Sequence, residues 1–345
     1  MVKMSLCPQP AASHGGTAIG GIDLSASLNP LGPSPVAISA ARDAVLTRYP
    51  EADAQSLRRA AADRHRVPTD AVVPVPGASW GLWLCAVALL APGSRCVGVA
   101  PAYAEYRRCA GVARAEYHEV ASSAPSWQPD FALLEEALDG ATTCFLANPG
   151  NPTGALIATD RLRSLCAAHR QTVFIVDEAF VDFAPPGSSL IADGLPPENV
   201  VVVRSLTKAL GLPGLRMGYL VARPELALAL SGILPPWSLS APALAAAVAG
   251  LTNLEHVIAG AALARLNLKS VAEAVVDVGA LPFPSAANYL LAWAPAMAAG
   301  LAAHGITVRD CASLGMPGYV RIAAPGVPQL LPTVAAIRAL GRVSA

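Results

Sequence analysis

The sequence contains few charged residues and no excess of either sign. Asp, Glu, Lys and Arg make up 14% of the 345 residues, and the formal net charge at pH 7 is zero. Nucleic-acid-binding proteins present clustered Lys and Arg, and no such cluster occurs here. Disordered chains have low hydrophobicity and high net charge, whereas 54% of these residues are hydrophobic. We therefore expect a folded protein with a large core that binds a small molecule and no nucleic acid.

The sequence also lacks the spacings of disulfide frameworks and metal sites. Its seven cysteines form no CxxC pair, and its six histidines form no HExxH motif. These features predict reduced thiols in a cytoplasmic protein without a bound metal. The glycine patterns of nucleotide-binding loops, GxGxxG after a strand and GxxxxGK[ST], are missing as well.

Long uninterrupted apolar runs do not occur. The most apolar stretch, residues 232–251, contains Pro235, Pro236 and Pro242. A membrane helix needs about 20 apolar residues, and proline interrupts a helix interior. The first residues lack the apolar segment of a secretory signal peptide. We therefore expect a soluble, cytoplasmic protein with no membrane partner.

Between residues 71 and 222, short apolar runs alternate with helical patterns. The runs are continuous, which is typical of strands covered on both faces in a mainly parallel sheet. This pattern predicts the α/β class, with ligands bound at the carboxyl ends of the strands. The predicted strands are 72–75, 96–99, 142–146, 172–176, 200–204 and 217–221, and the helices between them are 79–90, 103–111, 131–138 and 159–169.

Composition divides the chain into three segments. Residues 1–40 are rich in Gly, Pro and Ser, and we expect an N-terminal arm that contributes to a small domain. Residues 41–236 are predicted to form the large domain. Residues 237–345, which begin with an Ala- and Leu-rich helical region, are predicted to form a smaller α+β domain.

The strongest candidate site lies in the segment Ser205–Arg216. Lys208 directly follows a predicted buried strand and lies among Ser205, Thr207 and Arg216. Hydroxyl groups and a guanidinium together suit an anionic phosphate. A single lysine would more simply be a solvated surface residue, but the whole segment favours a lysine that forms a Schiff base with a carbonyl cofactor.

Three further polar segments follow predicted strands. Asp177 ends a very apolar strand, where it is either a helix N-cap or the partner of a protonated pyridinium nitrogen. Asn151 lies in NPGNPTG, which forms a tight turn and can also present an amide donor to a ring oxygen. Ala78 and Ser79 open a helix whose N–H groups can bind phosphate, although an N-cap serine explains this segment equally well.

In this order, the segments resemble the fold-type-I pyridoxal-5′-phosphate (PLP) aminotransferases. The resemblance extends from His14 to about Leu340. It is closest to the histidinol-phosphate aminotransferase branch and, within that branch, to the L-threonine-O-3-phosphate decarboxylases of cobalamin biosynthesis. It implies the aspartate aminotransferase-like fold, pyridoxal 5′-phosphate as cofactor and a homodimer.

The resemblance also implies how each residue contacts the cofactor. Lys208 carries the cofactor, Asp177 pairs with its ring nitrogen and Asn151 bonds its ring hydroxyl. Tyr103 of PAYAEY stacks on the ring, and Tyr49 of RYP reaches the cofactor phosphate of the neighbouring subunit. The phosphate is held by Ala78, Ser79, Ser205, Thr207 and Arg216.

On the substrate side, the resemblance implies a phosphorylated amino acid held by two arginines. Arg321 of YVRIA grips a carboxylate, and Arg309 supplies a second guanidinium for a phosphate. His14, in an HGG sequence that resembles the decarboxylase signature, and Asn29 approach the substrate.

Several reactions remain open on this basis. Our main prediction is decarboxylation of L-threonine O-3-phosphate to (R)-1-amino-2-propanol O-2-phosphate and CO₂. The alternative is transamination of histidinol phosphate or a related amino acid. Trp80, Phe180 and Trp293 depart from the usual family residues, so a relative recruited to secondary metabolism is also possible. A non-catalytic PLP-sensing module is disfavoured, because both Lys208 and Arg321 are present.

Overall fold

The computed structural model describes residues 15–16, 18 and 20–341. His14, which we predicted to approach the substrate, lies outside these residues. The strands, in chain order, are β1 (Ile22–Leu24), β2 (Val72–Val75), β3 (Arg95–Ala100), β4 (Glu116–Ser123), β5 (Gln128–Pro129), β6 (Thr143–Ala147), β7 (Val173–Asp177), β8 (Val200–Ser205), β9 (Gly218–Val221), β10 (Leu281–Pro282), β11 (Tyr289–Trp293), β12 (Ile306–Asp310) and β13 (Tyr319–Ala323).

The helices connect these strands in the alternating order that the sequence predicts. They are α1 (Pro35–Arg42), α2 (Gln55–His65), α3 (Ala78–Leu89), α4 (Glu105–Val112), α5 (Phe131–Leu138), α6 (Thr159–Ala168), α7 (Leu206–Ala209), α8 (Pro224–Ser231), α9 (Ala241–Thr252), α10 (Glu255–Asp277), α11 (Met297–Ala303) and α12 (Val327–Ala339).

The large domain is built on an eight-stranded sheet in the order β2-β9-β8-β7-β6-β3-β4-β5. Its central strands are parallel, and the antiparallel pairs involve β9 and β5. Alternate residues of one strand face different cores: Val200 and Val202 of β8 pack into one, and Val201 and Val203 into the other. Burial on both faces explains why these strands are continuous apolar runs. The predicted mainly parallel α/β sheet is confirmed.

The small domain contains a five-stranded sheet in the order β1-β12-β13-β11-β10. The arm enters this sheet as its edge strand, because β1 pairs in parallel with β12. Helix α10 covers the sheet, with Val271 and Val275 packed in the same core as Leu290 of β11. The arm therefore joins the small domain through a single short strand.

The boundary between the domains differs from the predicted position at residue 237. Helix α9 packs against α1 and α2, and its Ala247 shares the large-domain core with Leu57. The change of core falls within α10, between Val257 and Ala261. Pro235 and Pro236 lie in the segment between α8 and α9, which is not helical. The apolar face of α9 is nevertheless buried on the large domain.

Two structural features bear on the predicted protein class. Among residues 15–16, 18 and 20–341, no single helix is both long and apolar enough to cross a membrane; only α9 and α10 together have that length and composition, and they meet at a 75° bend. The cysteines in the same residues are buried and unpaired, and no cluster of His, Cys, Asp and Glu there has the make-up of a metal site.

Candidate active site

A cavity of about 240 Å³ lies where β6, β7 and β8 end and the two domains meet. It contains eleven of the site residues predicted from the sequence. These are Ala78, Ser79, Tyr103, Asn151, Asp177, Ser205, Thr207, Lys208, Arg216, Arg309 and Arg321. Parallel strands present their carboxyl ends at one edge of the large-domain sheet, and β12 and β13 of the small domain bring Arg309 and Arg321 to the same cavity. Residues up to 243 positions apart therefore lie together.

Lys208 lies on α7, which begins directly after β8. Burial, together with the positive charges of Arg321 and Arg216, lowers the pKa of its amine to about 8, and Asp177 opposes this shift. At pH 7 roughly a tenth of such an amine is unprotonated, compared with well under a thousandth for an ordinary lysine. The site therefore holds an amine prepared for nucleophilic attack on a carbonyl.

Asp177, the last residue of β7, is held by two donors. Its Oδ2 accepts a hydrogen bond of 2.8 Å from the Tyr106 hydroxyl, and its Oδ1 accepts one of 3.0 Å from the Ala179 backbone N–H. Burial raises the pKa of this carboxyl, while the two hydrogen bonds and Lys208 oppose the shift. Asp177 therefore accepts a hydrogen bond from a backbone N–H two residues later, as an N-cap residue does. It also lines the cavity with its carboxylate.

One end of the cavity is lined with hydrogen-bond donors. The Arg216 guanidinium lies 3.5 Å from the Thr207 hydroxyl and 3.2 Å from the Pro213 carbonyl. The N-cap of α3 is Gly77, which has no side chain to satisfy the first N–H groups, so the alternative of a serine N-cap is wrong. A Cβ on Gly77 would lie 2.6 Å from Arg216 Nη2. Free amides, hydroxyls and a guanidinium in a glycine-lined cradle fit a phosphate.

The middle of the cavity is suited to a flat polar ring. The hydroxyl of Tyr103 lies 3.1 Å from Ser79 Oγ, which connects an aromatic wall to the donor-lined end. Asn151 Oδ1 accepts a 2.6 Å hydrogen bond from Arg321 Nη1, so its Nδ2 remains a donor for a ring oxygen. Phe180 forms another wall, edge-on to Tyr289.

Two arginines face each other on the small-domain side. Arg309 of β12 and Arg321 of β13 are direct partners across the sheet. Arg321 is 8% exposed and donates a 2.7 Å hydrogen bond to the Ser25 carbonyl, whereas Arg309 bonds Ser313 Oγ at 2.8 Å. Two guanidinium groups on adjacent strands suit a ligand with one or two anionic groups.

Asn29 does not line the cavity, so its predicted substrate contact is wrong in this geometry. Its side chain is buried, with Nδ2 donating to the Ala209 carbonyl at 2.8 Å and Oδ1 accepting from the Leu31 N–H at 3.0 Å. Its backbone N–H donates to the Lys208 carbonyl at 3.0 Å. Asn29 therefore fixes the arm to α7, the short helix that carries the lysine.

Other predicted or unusual residues also lie outside the cavity. Tyr49 is 78% exposed and packs on Trp237, so its role toward a neighbouring subunit stays a prediction. Trp293 packs against the cluster around Trp127 and does not line the cavity. Trp80 is half exposed on α3.

Sequence reasoning missed two residues of the site. Tyr106 follows Tyr103 by three positions in PAYAEY, a helical spacing that places both near one site. Ser25 acts through its backbone carbonyl, which leaves no signal in the residue type.

Known proteins match nearly the whole chain. Residues 19–335 match the family model described as aminotransferase class I and II. The histidinol-phosphate aminotransferase of Symbiobacterium thermophilum is 36% identical over 318 residues, which cover 89% of this chain and 87% of that protein. The histidinol-phosphate aminotransferase of Halorubrum lacusprofundi is 32% identical over 309 residues, 87% of this chain and 84% of the relative.

Solved structures share the fold at lower identity. Histidinol-phosphate aminotransferase from Sinorhizobium meliloti, in complex with pyridoxal-5′-phosphate, has a TM-score of 0.82 and 24% identity, covering 92% of this chain and 91% of that chain. L-threonine-O-3-phosphate decarboxylase from Porphyromonas gingivalis has a TM-score of 0.78 and 24% identity, covering 92% of this chain and 99% of that chain.

Proposed function

The chain belongs to the aminotransferase class I and II family, and on this premise we propose that it is a pyridoxal-5′-phosphate aminotransferase acting on histidinol phosphate or a related phosphorylated amine. One observation carries the proposal: a single cavity joins a buried lysine, a buried carboxylate, a donor-lined anion site and two opposed arginines. Relatives more than 30% identical are named histidinol-phosphate aminotransferases, which supports transamination over decarboxylation.

The cofactor assignment matches the donor set of the cavity. When bound, pyridoxal phosphate supplies a carbonyl group and an electron-withdrawing ring. Lys208 would bind it covalently, Asp177 would pair with the ring nitrogen, and Asn151 would donate to the ring oxygen. Its phosphate would lie against Arg216, Thr207 and the first N–H groups of α3.

A proton must move at the substrate Cα during transamination, and Lys208 suits this role. The two oxygens of Asp177 already accept hydrogen bonds from Tyr106 and Ala179. Lys208 has a pKa lowered to about 8, so its amine can take a proton and return it near neutral pH. We therefore assign proton transfer to Lys208 Nζ and ring polarisation to Asp177.

The paired arginines suit a reaction with two anionic substrates in turn. Arg321 and Arg309 together would bind the phosphate of the amine in one half of the cycle. The same two guanidinium groups would bind the carboxylates of an amino acceptor in the other half. Each charge-assisted contact is directional, so it also orients the reacting carbon.

Two assays test the proposal directly. Histidinol phosphate added to the PLP-loaded protein should change the visible spectrum of the cofactor, and 2-oxoglutarate should restore it with release of glutamate. If the protein binds PLP but forms no glutamate with histidinol phosphate or other phosphorylated amines, transamination is excluded.

Decarboxylation of L-threonine O-3-phosphate is the second candidate. Two guanidinium groups side by side on adjacent strands also suit this substrate, because it has both a carboxylate and a phosphate. Incubation with L-threonine O-3-phosphate would release CO₂ and (R)-1-amino-2-propanol O-2-phosphate without a keto-acid acceptor. Absence of CO₂ would exclude this reaction.

We also propose a homodimer. The rings of Tyr49 and Trp237 pack with their centroids 4.7 Å apart and a tilt of 32° on the surface of the large domain, and both are exposed. Large exposed aromatic pairs are typical of interfaces. Light scattering should give twice the mass of the chain, and a monomer would contradict the predicted contact of Tyr49 with a neighbouring subunit.

A further inference from the structure

Tyr106 lies behind the cavity wall and is held rigidly. It is 1% exposed, its ring stacks on Phe145 at a centroid distance of 5.4 Å, and it meets Tyr103 edge-on at 6.0 Å. Aromatic packing on two sides fixes the direction of its hydroxyl. That hydroxyl donates to Asp177 Oδ2 at 2.8 Å.

The two donors to Asp177 come from different elements. Tyr106 belongs to α4, whereas the Ala179 N–H that donates to Oδ1 follows β7. An ionised carboxylate accepts at about four lone-pair positions. Two fixed donors therefore set the plane of the carboxylate and leave its other positions for a group in the cavity.

A phenol suits this position because it adds a donor without adding charge. Burial raises the pKa of Asp177, and the Tyr106 hydrogen bond is the first of the contributions that oppose this shift, ahead of Ala179 and Lys208. Burial and the nearby Asp177 charge raise the pKa of Tyr106 well above its normal value, so its proton stays in place. A cation here would instead compete with the pyridinium for the carboxylate.

We propose that Tyr106 is a positioning residue whose hydroxyl holds the Asp177 carboxylate aimed at the ring nitrogen of the cofactor. The inference deepens the proposed function and rests on its cofactor. Tyr106 does not line the cavity, so it acts only through Asp177.

The test compares Tyr106→Phe with Tyr219→Phe. Both tyrosines are buried, and each hydroxyl makes one hydrogen bond, since Tyr219 pairs with His65 at 2.7 Å outside the cavity. Loss of a hydrogen bond to a charged group corresponds to about a tenfold change or more. We expect Tyr106→Phe to weaken PLP binding about tenfold and to shift the pH midpoint of the absorbance of bound PLP. Tyr219→Phe should change neither quantity, whatever it does to thermal stability.

A double-mutant cycle identifies the route of the effect. In an Asp177→Asn background, Tyr106→Phe should weaken PLP binding by less than about twofold, because the carboxylate through which it acts is gone. Equal losses of PLP affinity in both backgrounds, or equal losses caused by Tyr106→Phe and Tyr219→Phe, would overturn the positioning role. PLP affinity and the pH midpoint of absorbance are both measured without substrate, so they remain interpretable if the transamination assay fails. A wild-type protein that binds no PLP would overturn both the proposed function and the role of Tyr106.

Discussion

Gly77 offers the sharpest test of the phosphate cradle, because a single methyl group there would reach the anion-binding arginine. Gly77 precedes α3 with φ at +90° and ψ at 158°. A Cβ at this position would lie 2.6 Å from Arg216 Nη2 and 3.1 Å from Arg216 Cζ. Heavy atoms do not approach so closely, so Gly77→Ala must move the guanidinium away from the start of the helix.

Two costs should follow, and they affect different measurements. The backbone conformation of Gly77 is almost exclusive to glycine, so alanine should lower the free energy of unfolding by about 1–3 kcal/mol. The arginine is flexible and can move, but displacing it loses a charge-assisted hydrogen bond to phosphate of about 1.5–3 kcal/mol. We therefore expect the Kd for PLP to rise by roughly 10- to 100-fold.

Gly93→Ala is the matched control. Gly93 also has a positive φ, of +77°, but no atom lies within 4 Å of its missing Cβ. This variant should lose stability in thermal unfolding and keep the wild-type Kd for PLP in a fluorescence titration. If Gly77→Ala binds PLP like the wild type, or if Gly93→Ala weakens it equally, the assignment of Arg216 as the phosphate anchor is wrong.

Three further variants test the rest of the site. Lys208→Ala should bind PLP without the visible absorbance of a covalent lysine adduct, and borohydride treatment should then label no lysine at the site. Arg321→Lys should raise the KM for anionic substrates about tenfold or more and leave the absorbance of bound PLP in place, because a lysine cannot bind two oxygens side by side; an unchanged KM would contradict its substrate role. Burial raises the pKa of Glu178 to about 7, although Arg204 opposes the shift. The folded protein then binds this proton more tightly than the unfolded chain, so the free energy of unfolding should fall by about 3 kcal/mol as the pH rises from about 4.5 to 7. Glu178→Gln should remove that slope in urea titrations.

The sheet was predictable where burial alone determines the residue types. Strand β8 begins with four consecutive valines because its two faces pack into separate cores. Strand β4, EYHEVASS, was missed because it lies near the sheet edge with most of its side chains partly or fully exposed. Its pairing with β3 comes from backbone hydrogen bonds, which no side-chain pattern records.

The site was predictable where the chemistry lies within a continuous motif. Lys208, Thr207 and Arg216 belong to one short segment after β8, in which α7 carries the first two, so their proximity follows from the sequence. Asn29 shows the limit of that reasoning, because a resemblance indicates its position in the chain but not which way its side chain points. Tyr106 shows the opposite limit: its bond to Asp177 depends on how α4 packs against β7.

Burial and the charged residues that line the cavity together set the pKa of Lys208. Lys208, Arg216, Arg309 and Arg321 contribute positive charge to the lining, and Asp177 is the carboxylate among the described lining residues. The excess of positive charge adds to burial in lowering the pKa of Lys208, and Arg321 and Arg216 are the arginines responsible. Anionic ligands would reverse this imbalance, since a phosphate against Arg216 and an acidic substrate against Arg321 neutralise the groups that disfavour a protonated lysine. Anionic ligands would therefore raise the pKa of the Lys208 amine once it is released from the cofactor, which strengthens it as a proton acceptor, whereas its lowered pKa without them favours attack on the cofactor carbonyl.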